Sequence, residues 1–125
     1  MDSSAYVKAL LDESGAVALL TELANWEGYV SSALLAVESI RACARRNAED
    51  GREARRWLEG ISLLPLDDAI LDRATELEPA GLRSLDALHL ATALSVKDEI
   101  GVFVAYDNRL AEAARKRGLP VSQPT

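Results

Sequence analysis

Short β-prone runs separated by helical patterns constrain this chain more than anything else in it. GYVSS (28–32), ISLLPL (61–66) and GVFVAYD (101–107) each offer a handful of strand residues, and LPVSQP (119–124) is a last short strand or tail. Between them, ALLAVESIRACARRNAED (33–50), DDAILDRATELE (67–78), RSLDALHLATALSV (83–96) and NRLAEAARKRG (108–118) carry helical apolar spacing. GREARRWLEG (51–60) reads as a further short helix framed by Gly51 and Gly60, and Gly118 as the stop of the last helix. SAYVKALL (4–11) and SGAVALLTELANW (14–26) add two helical patterns ahead of the first strand. Strands joined through helices build βαβ units and a parallel sheet. The expected fold is an α/β three-layer domain, a short central parallel sheet flanked by helices, over residues 1–125. A chain of 125 residues can bury a core of its own.

Charge and cysteine content exclude several functions. The net charge of −6 has the wrong sign for bulk electrostatic binding of nucleic acid, so any such role needs a local basic surface or a metal that inverts an acidic site. Cys43 is the only cysteine, which rules out an intrachain disulfide and a cysteine-rich zinc site. No apolar run reaches the roughly 18 residues of a membrane helix, and the first residues lack the basic start and apolar stretch of a signal peptide. The chain reads as a soluble, cytoplasmic protein with no membrane association.

In parallel α/β sheets ligands gather at the carboxyl edge, where strands end and helices begin. Four acids point there. Asp2 precedes the first helix, Asp107 follows the run VFVAY, and Asp86 opens the helix before that strand. Glu38 lies inside a helix among Leu34, Leu35, Val37 and Ile40, a poor setting for a merely solvated acid. Asp86 also has a structural reading, with Ser84 as N-cap and the acid favoured by the helix dipole. Converging carboxylates repel unless a cation sits among them, and oxygen-only ligation suits Mg²⁺ or Mn²⁺. Such a site points to metal-assisted hydrolysis of a phosphodiester.

MDSSAYVKALL, SSALLAVESIRA, LRSLDALHLATAL and VAYDNRLAEAARKRGLPV together resemble the PIN domain, in particular the VapC-type toxins of bacterial toxin–antitoxin pairs. The resemblance covers nearly the whole chain. It implies a magnesium-dependent endoribonuclease held in check by a cognate VapB-type antitoxin, in a homodimer within a toxin–antitoxin hetero-oligomer. Carried over position by position, it implies Asp2 and Asp86 as metal ligands and Asp107 as a direct or water-mediated one. Glu38 would orient the attacking water, and Ser4 would support Asp2 by hydrogen bonding. Two features depart from the family pattern. Only Met1 precedes Asp2, where relatives carry several apolar residues forming the central strand, and Ala105 stands where a Thr is frequent.

Other residues have plainer readings. His89, the only histidine, is expected to be a hydrogen-bonded structural residue rather than a general base. Cys43 is expected in the core or an interface, and Trp26 and Trp57 as packing anchors. Arg41, Arg45, Arg46, Arg52, Arg55 and Arg56 concentrate positive charge. They either form a solvated face paired with Glu49, Asp50 and Glu53, or guide RNA phosphates, with Arg41, Arg45 and Arg46 as the candidates. Arg109, Arg115, Lys116 and Arg117 form a smaller second patch. Two rival functions remain: a PIN-like binding or regulatory subunit without activity, and a phosphoacceptor receiver domain. The receiver lacks support, since DSSA supplies no acid pair and Asp107 stands where a Lys is wanted.

Overall fold

A computed structural model describes residues 3–11 and 15–125. In chain order these residues form α1 (Ser3–Leu10), α2 (Ala16–Leu23), β1 (Val30–Ser32), α3 (Leu34–Arg46), α4 (Ala48–Leu58), β2 (Ser62–Leu64) and α5 (Asp68–Glu76). They continue with α6 (Ser84–Ser95), β3 (Phe103–Val104), α7 (Asn108–Lys116) and β4 (Val121–Ser122). The alternation of strand and helix is the expected one, and among the described residues all strand pairing is parallel. β1 pairs with β2 in the register Val30–Ser62 to Ser32–Leu64, and β3 with β4 from Phe103–Val121 to Val104–Ser122. Among the described residues the strands form two separate pairs rather than one continuous sheet.

α6 organises the core. Leu90 and Ala91 are fully buried and Leu94 nearly so, in a cluster with Phe103, Ala105, Leu110, Ala113 and Ala114. Alanines of both α6 and α7 share that cluster, and the two helices pack together. α5 and β1 also pack on α6. Leu85 stays exposed, so α6 is not apolar against protein on every side. A smaller cluster joins Ala5 and Ala9 of α1 and Leu19 of α2 to Val104.

The long helix expected from residue 33 to 50 is broken. Asn47 adopts extended backbone (φ −170°, ψ 166°), ending α3 and starting α4, and its side chain accepts a hydrogen bond from the Asp50 N–H. An Asn that caps a new helix outcompetes continuation of the old one. Gly51 therefore lies inside α4 instead of framing it. It faces Ala44 so closely that a Cβ there would lie 3.2 Å from the Ala44 Cβ, and the missing side chain lets α3 and α4 pack tightly. Tyr6 locks α1 to α4, its hydroxyl donating to the Ala54 carbonyl at 2.8 Å, and burial pushes its phenol well above the usual range. Gly118 ends α7 in the left-handed region (φ +85°), as expected of a stop glycine. Among the described residues no helix is long and apolar enough to cross a membrane.

Candidate active site

Two helices begin at one small pocket. α7 starts after Asp107, whose Oδ1 accepts the Leu110 N–H at 3.0 Å, a side-chain N-cap. α6 starts after Arg83, which holds the cap position in extended backbone without a side-chain cap bond. Ser84 is thus the first helical residue and not the expected N-cap. Asp86 sits in the first turn of α6, half-buried. A pocket of about 230 Å³ lies between the two starts, lined by Arg83, Asp86, Asp107, Asn108, Arg109 and the turn at residues 81–82.

Asp86 and Asp107 therefore share one cavity, as the sequence suggested. Of their neighbours, Arg109 belongs to the second basic patch noted in the sequence, whereas Arg83 is not among the candidates read there. Arg83 Nη2 lies 3.9 Å from Asp107 Oδ2, and Arg109 lines the same wall. Carboxylates, guanidiniums and two helix N-termini, which favour anions, are combined here. A hard cation would take the carboxylate oxygens, and a phosphate would take the arginines and helix ends. The only local signal for Arg83 is its place just ahead of the helix carrying Asp86.

Glu38 is brought to α6 by a different contact. It projects from α3, and its Oε1 lies 2.7 Å from His89 Nε2. His89 follows Asp86 by three positions on α6, so the two share a helix face. Its side chain is 3% exposed and that of Glu38 27%, so the pair is largely withdrawn from water. His89 is thus hydrogen-bonded within the fold, and its partner is one of the four acids. Glu38 does not line the Asp86–Asp107 pocket itself. Asp2 lies outside the described residues, as does the side chain of Ser4. Among the described residues, no three His, Cys, Asp or Glu side chains are grouped closely enough to hold a metal by themselves.

The arginine face divides in two. Arg46 pairs with Asp50 at 3.3 Å, Arg52 with Glu49 at 2.8 Å, and Arg56 with Glu49 at 3.1 Å and with Glu53. Hydrogen bonds from Arg52, then Arg56, hold the Glu49 carboxyl below the usual carboxylate range. Arg41 and Arg45 are exposed, and no ion pair is found for either among the described residues. Cys43 is fully buried, which gives it a packing role. Trp57 packs edge-on to Tyr6 and donates from Nε1 to Glu53 at 2.9 Å, and Trp26 covers Gly101.

Comparison with known proteins identifies the family. Residues 1–116 match the PIN domain family model. Ribonuclease VapC47 of Mycobacterium tuberculosis (strain CDC 1551 / Oshkosh) is 38% identical over 129 residues, covering 99% of this chain and 95% of that protein. Ribonuclease VapC46 of the same species (strain ATCC 25618 / H37Rv) is 38% identical over 125 residues, covering 100% and 96%. Ribonuclease VapC35 is 34% identical over 132 residues, covering 99% and 95%. No solved structure gives a significant match. With the family model spanning most of the chain and relatives matched nearly end to end, the chain belongs to the PIN-domain family, in its VapC-type branch.

Proposed function

We propose that the protein is a VapC-type toxin that cleaves RNA as a divalent-metal-dependent endoribonuclease. The observation that carries this reading is the pocket shared by Asp86 and Asp107 at the starts of α6 and α7, with Arg83 and Arg109 on its wall. Two carboxylates offer hard oxygen donors of the kind that Mg²⁺ or Mn²⁺ prefers, and Asp2 is the third donor that the family resemblance assigns. When bound, such an ion supplies Lewis-acid chemistry to a phosphodiester. Arg83 and Arg109 bind the non-bridging phosphate oxygens and align the scissile bond. Glu38, anchored through Oε1 by His89, is the acid assigned to orient water, with Oε2 accepting the proton. Ser4 supports Asp2. Arg41 and Arg45 extend the phosphate path along α3, and Arg46 joins them on leaving Asp50.

The partners follow from the same reading. The substrate is RNA, and a cognate VapB-type antitoxin lies across the groove with a basic or apolar side chain near the acids. The toxin pairs as a homodimer within a toxin–antitoxin hetero-oligomer. A second reading, a binding subunit without activity, has one observation in its favour. Both oxygens of Asp107 are already engaged, one by the α7 cap and one by Arg83.

The deciding experiment is cleavage of total RNA by antitoxin-free protein in Mg²⁺ or Mn²⁺, beside EDTA and Asp86→Asn. Cleavage at discrete sites, abolished by EDTA and reduced about a hundredfold or more by the substitution, supports the nuclease. Cleavage unaffected by both, or absent from folded protein that still binds antitoxin, refutes it.

A further inference from the structure

The turn that carries Asp107 is tied to the chain that follows β4. β3 and β4 run parallel in the register Phe103–Val121 and Val104–Ser122, so the residues beyond each strand leave the pair side by side. Gln123, the first residue past β4, is half-buried. Its Nε2 donates to the Tyr106 carbonyl oxygen at 3.2 Å and to Asn108 Oδ1 at 3.2 Å. Those two acceptors stand on either side of Asp107. Tyr106 returns the contact, its hydroxyl donating to the Pro124 carbonyl at 2.6 Å. One side-chain amide therefore spans the corner between β3 and α7.

The chemistry of these groups fixes the orientation of two amides in turn. A backbone carbonyl only accepts, so the end of Gln123 that faces Tyr106 is its NH₂. The same nitrogen faces Asn108, so the Asn108 atom turned toward it is the acceptor Oδ1. Arg115 agrees with that assignment, since its Nη2, a donor only, lies 3.5 Å from Gln123 Oε1. Oδ1 and Nδ2 of Asn108 diverge from one carbon, so Nδ2 is turned away from Gln123. Asn108 is exposed and lines the pocket shared by Asp86 and Asp107. Among the described residues no acceptor is found for its Nδ2.

We propose that Asn108 is a substrate-binding residue, its Nδ2 donating to a phosphate oxygen of RNA, and that Gln123 is the positioning residue that sets it. The inference rests on the nuclease reading and deepens it. Turned the other way, Asn108 would present an acceptor, which an anionic phosphate oxygen repels. An unrestrained Asn108 would spend part of its time in that orientation and would have to be ordered on binding, a cost that Gln123 removes in advance. The donor is neutral. Unlike Arg83 and Arg109, it adds affinity without releasing counterions from the nucleic acid.

The test is binding of a fluorescent single-stranded RNA of mixed sequence in EDTA, read at several salt concentrations together with Tm. It compares the unaltered protein with Asn108→Ala, Asn108→Asp, Gln123→Ala and the double Ala variant. Asn108→Ala should bind about tenfold more weakly with an unchanged salt slope. Gln123→Ala should lose about threefold, and the double variant should be no weaker than Asn108→Ala, because Gln123 acts through Asn108. Asn108→Asp keeps an acceptor for Gln123 but removes the donor, so it should bind more weakly than Asn108→Ala with Tm unchanged. Gln123→Met, which keeps the side-chain length without the amide, gives the same reading should Gln123→Ala not fold. Unchanged affinity in Asn108→Ala, or a Gln123→Ala loss that adds fully to it, overturns the proposal. So does a lower Tm in Gln123→Ala with RNA affinity intact, which makes the clamp structural only. Unaltered protein that neither binds nor cuts RNA overturns the nuclease reading and this inference with it, whereas RNA cut by the unaltered protein and bound equally by Asn108→Ala overturns this inference alone.

Discussion

The Glu38–His89 contact sets up the most demanding prediction. Replacing His89 with Leu keeps an apolar body on α6 and removes the partner that sits 2.7 Å from Glu38 Oε1. A hydrogen bond to a charged group is worth about 1.5–3 kcal/mol. Glu38 is 27% exposed, so water can replace part of the lost contact, and the expected loss falls to about 1–2 kcal/mol. In a chain of 125 residues each kcal/mol moves Tm by about 3–6 °C. Urea unfolding of His89→Leu, Glu38→Gln and the double variant gives the coupling directly. We expect an interaction energy near 1 kcal/mol, well above the roughly 0.3–0.5 kcal/mol within which independent sites add. His89→Gln retains an amide donor able to reach Glu38 and should recover part of both stability and cleavage. A coupling indistinguishable from zero would refute the pairing. Full loss of cleavage in a stable His89→Gln protein would show that His89 moves a proton itself, against the anchoring role assigned here.

Asp107→Asn keeps the α7 cap, since Asn and Asp cap equally well, so it should abolish cleavage with stability intact. Asp107→Ala should lose both, with about 1 kcal/mol taken from unfolding stability. Gly118→Ala forces a side chain onto φ +85° and puts a Cβ 2.8 Å from Lys97 Nζ, so unfolding should become easier by about 1 kcal/mol, seen as a lower urea midpoint. Glu49 has a depressed folded pKa, so its contribution is present above the ordinary Glu pKa and is lost as pH falls through the folded value. Arg52→Gln should flatten the acid side of the stability–pH curve, and high salt should do the same because the pair is fully exposed.

What could be read in the sequence was mostly local. Asp107 announced itself by standing between a β-branched run and an amphipathic helix, and it is the N-cap of α7. The parallel pairing followed from the alternation of short strands and helices, because that order leaves no room for hairpins. The break at Asn47 was legible in principle, with Asp50 three residues on, but the apolar spacing across it continued without a fault. Ser84 was a plausible cap on propensity, yet packing of α6 starts the helix one residue earlier in register, after Arg83. The approach of Glu38 to His89 spans 51 positions, and that of Arg83 to Asp107 depends on how α6 lies against α7, so neither leaves a local trace. The split of the described strands into two pairs is likewise a property of three dimensions. Asp86 and Asp107 could be placed at one edge from the sequence, whereas the pairing of Arg83 with Asp107 could not.

The Arg83–Asp107 contact explains how an acidic chain can present a pocket to a polyanion. At 3.9 Å, two unit charges in a water-like dielectric attract by about 1 kcal/mol, and exposed pairs of this kind contribute about 0–1 kcal/mol once side-chain entropy is counted. Arg83 is 82% exposed, so leaving Asp107 costs little, and its planar fork is better matched to a phosphate than to a single carboxylate oxygen at that distance. Asp107 Oδ1 accepts the α7 cap bond, which would keep the carboxylate in place if Oδ2 changed partner. A cation arriving at Asp86 and Asp107 would push the guanidinium outward by like-charge repulsion, toward incoming phosphate. Arg83→Lys should therefore bind RNA with nearly the same salt dependence, since the charge is kept, and lose cleavage by about tenfold, since two-point alignment of the phosphate is gone. Equal cleavage by the Lys variant would reduce Arg83 to a surface charge and leave alignment to Arg109.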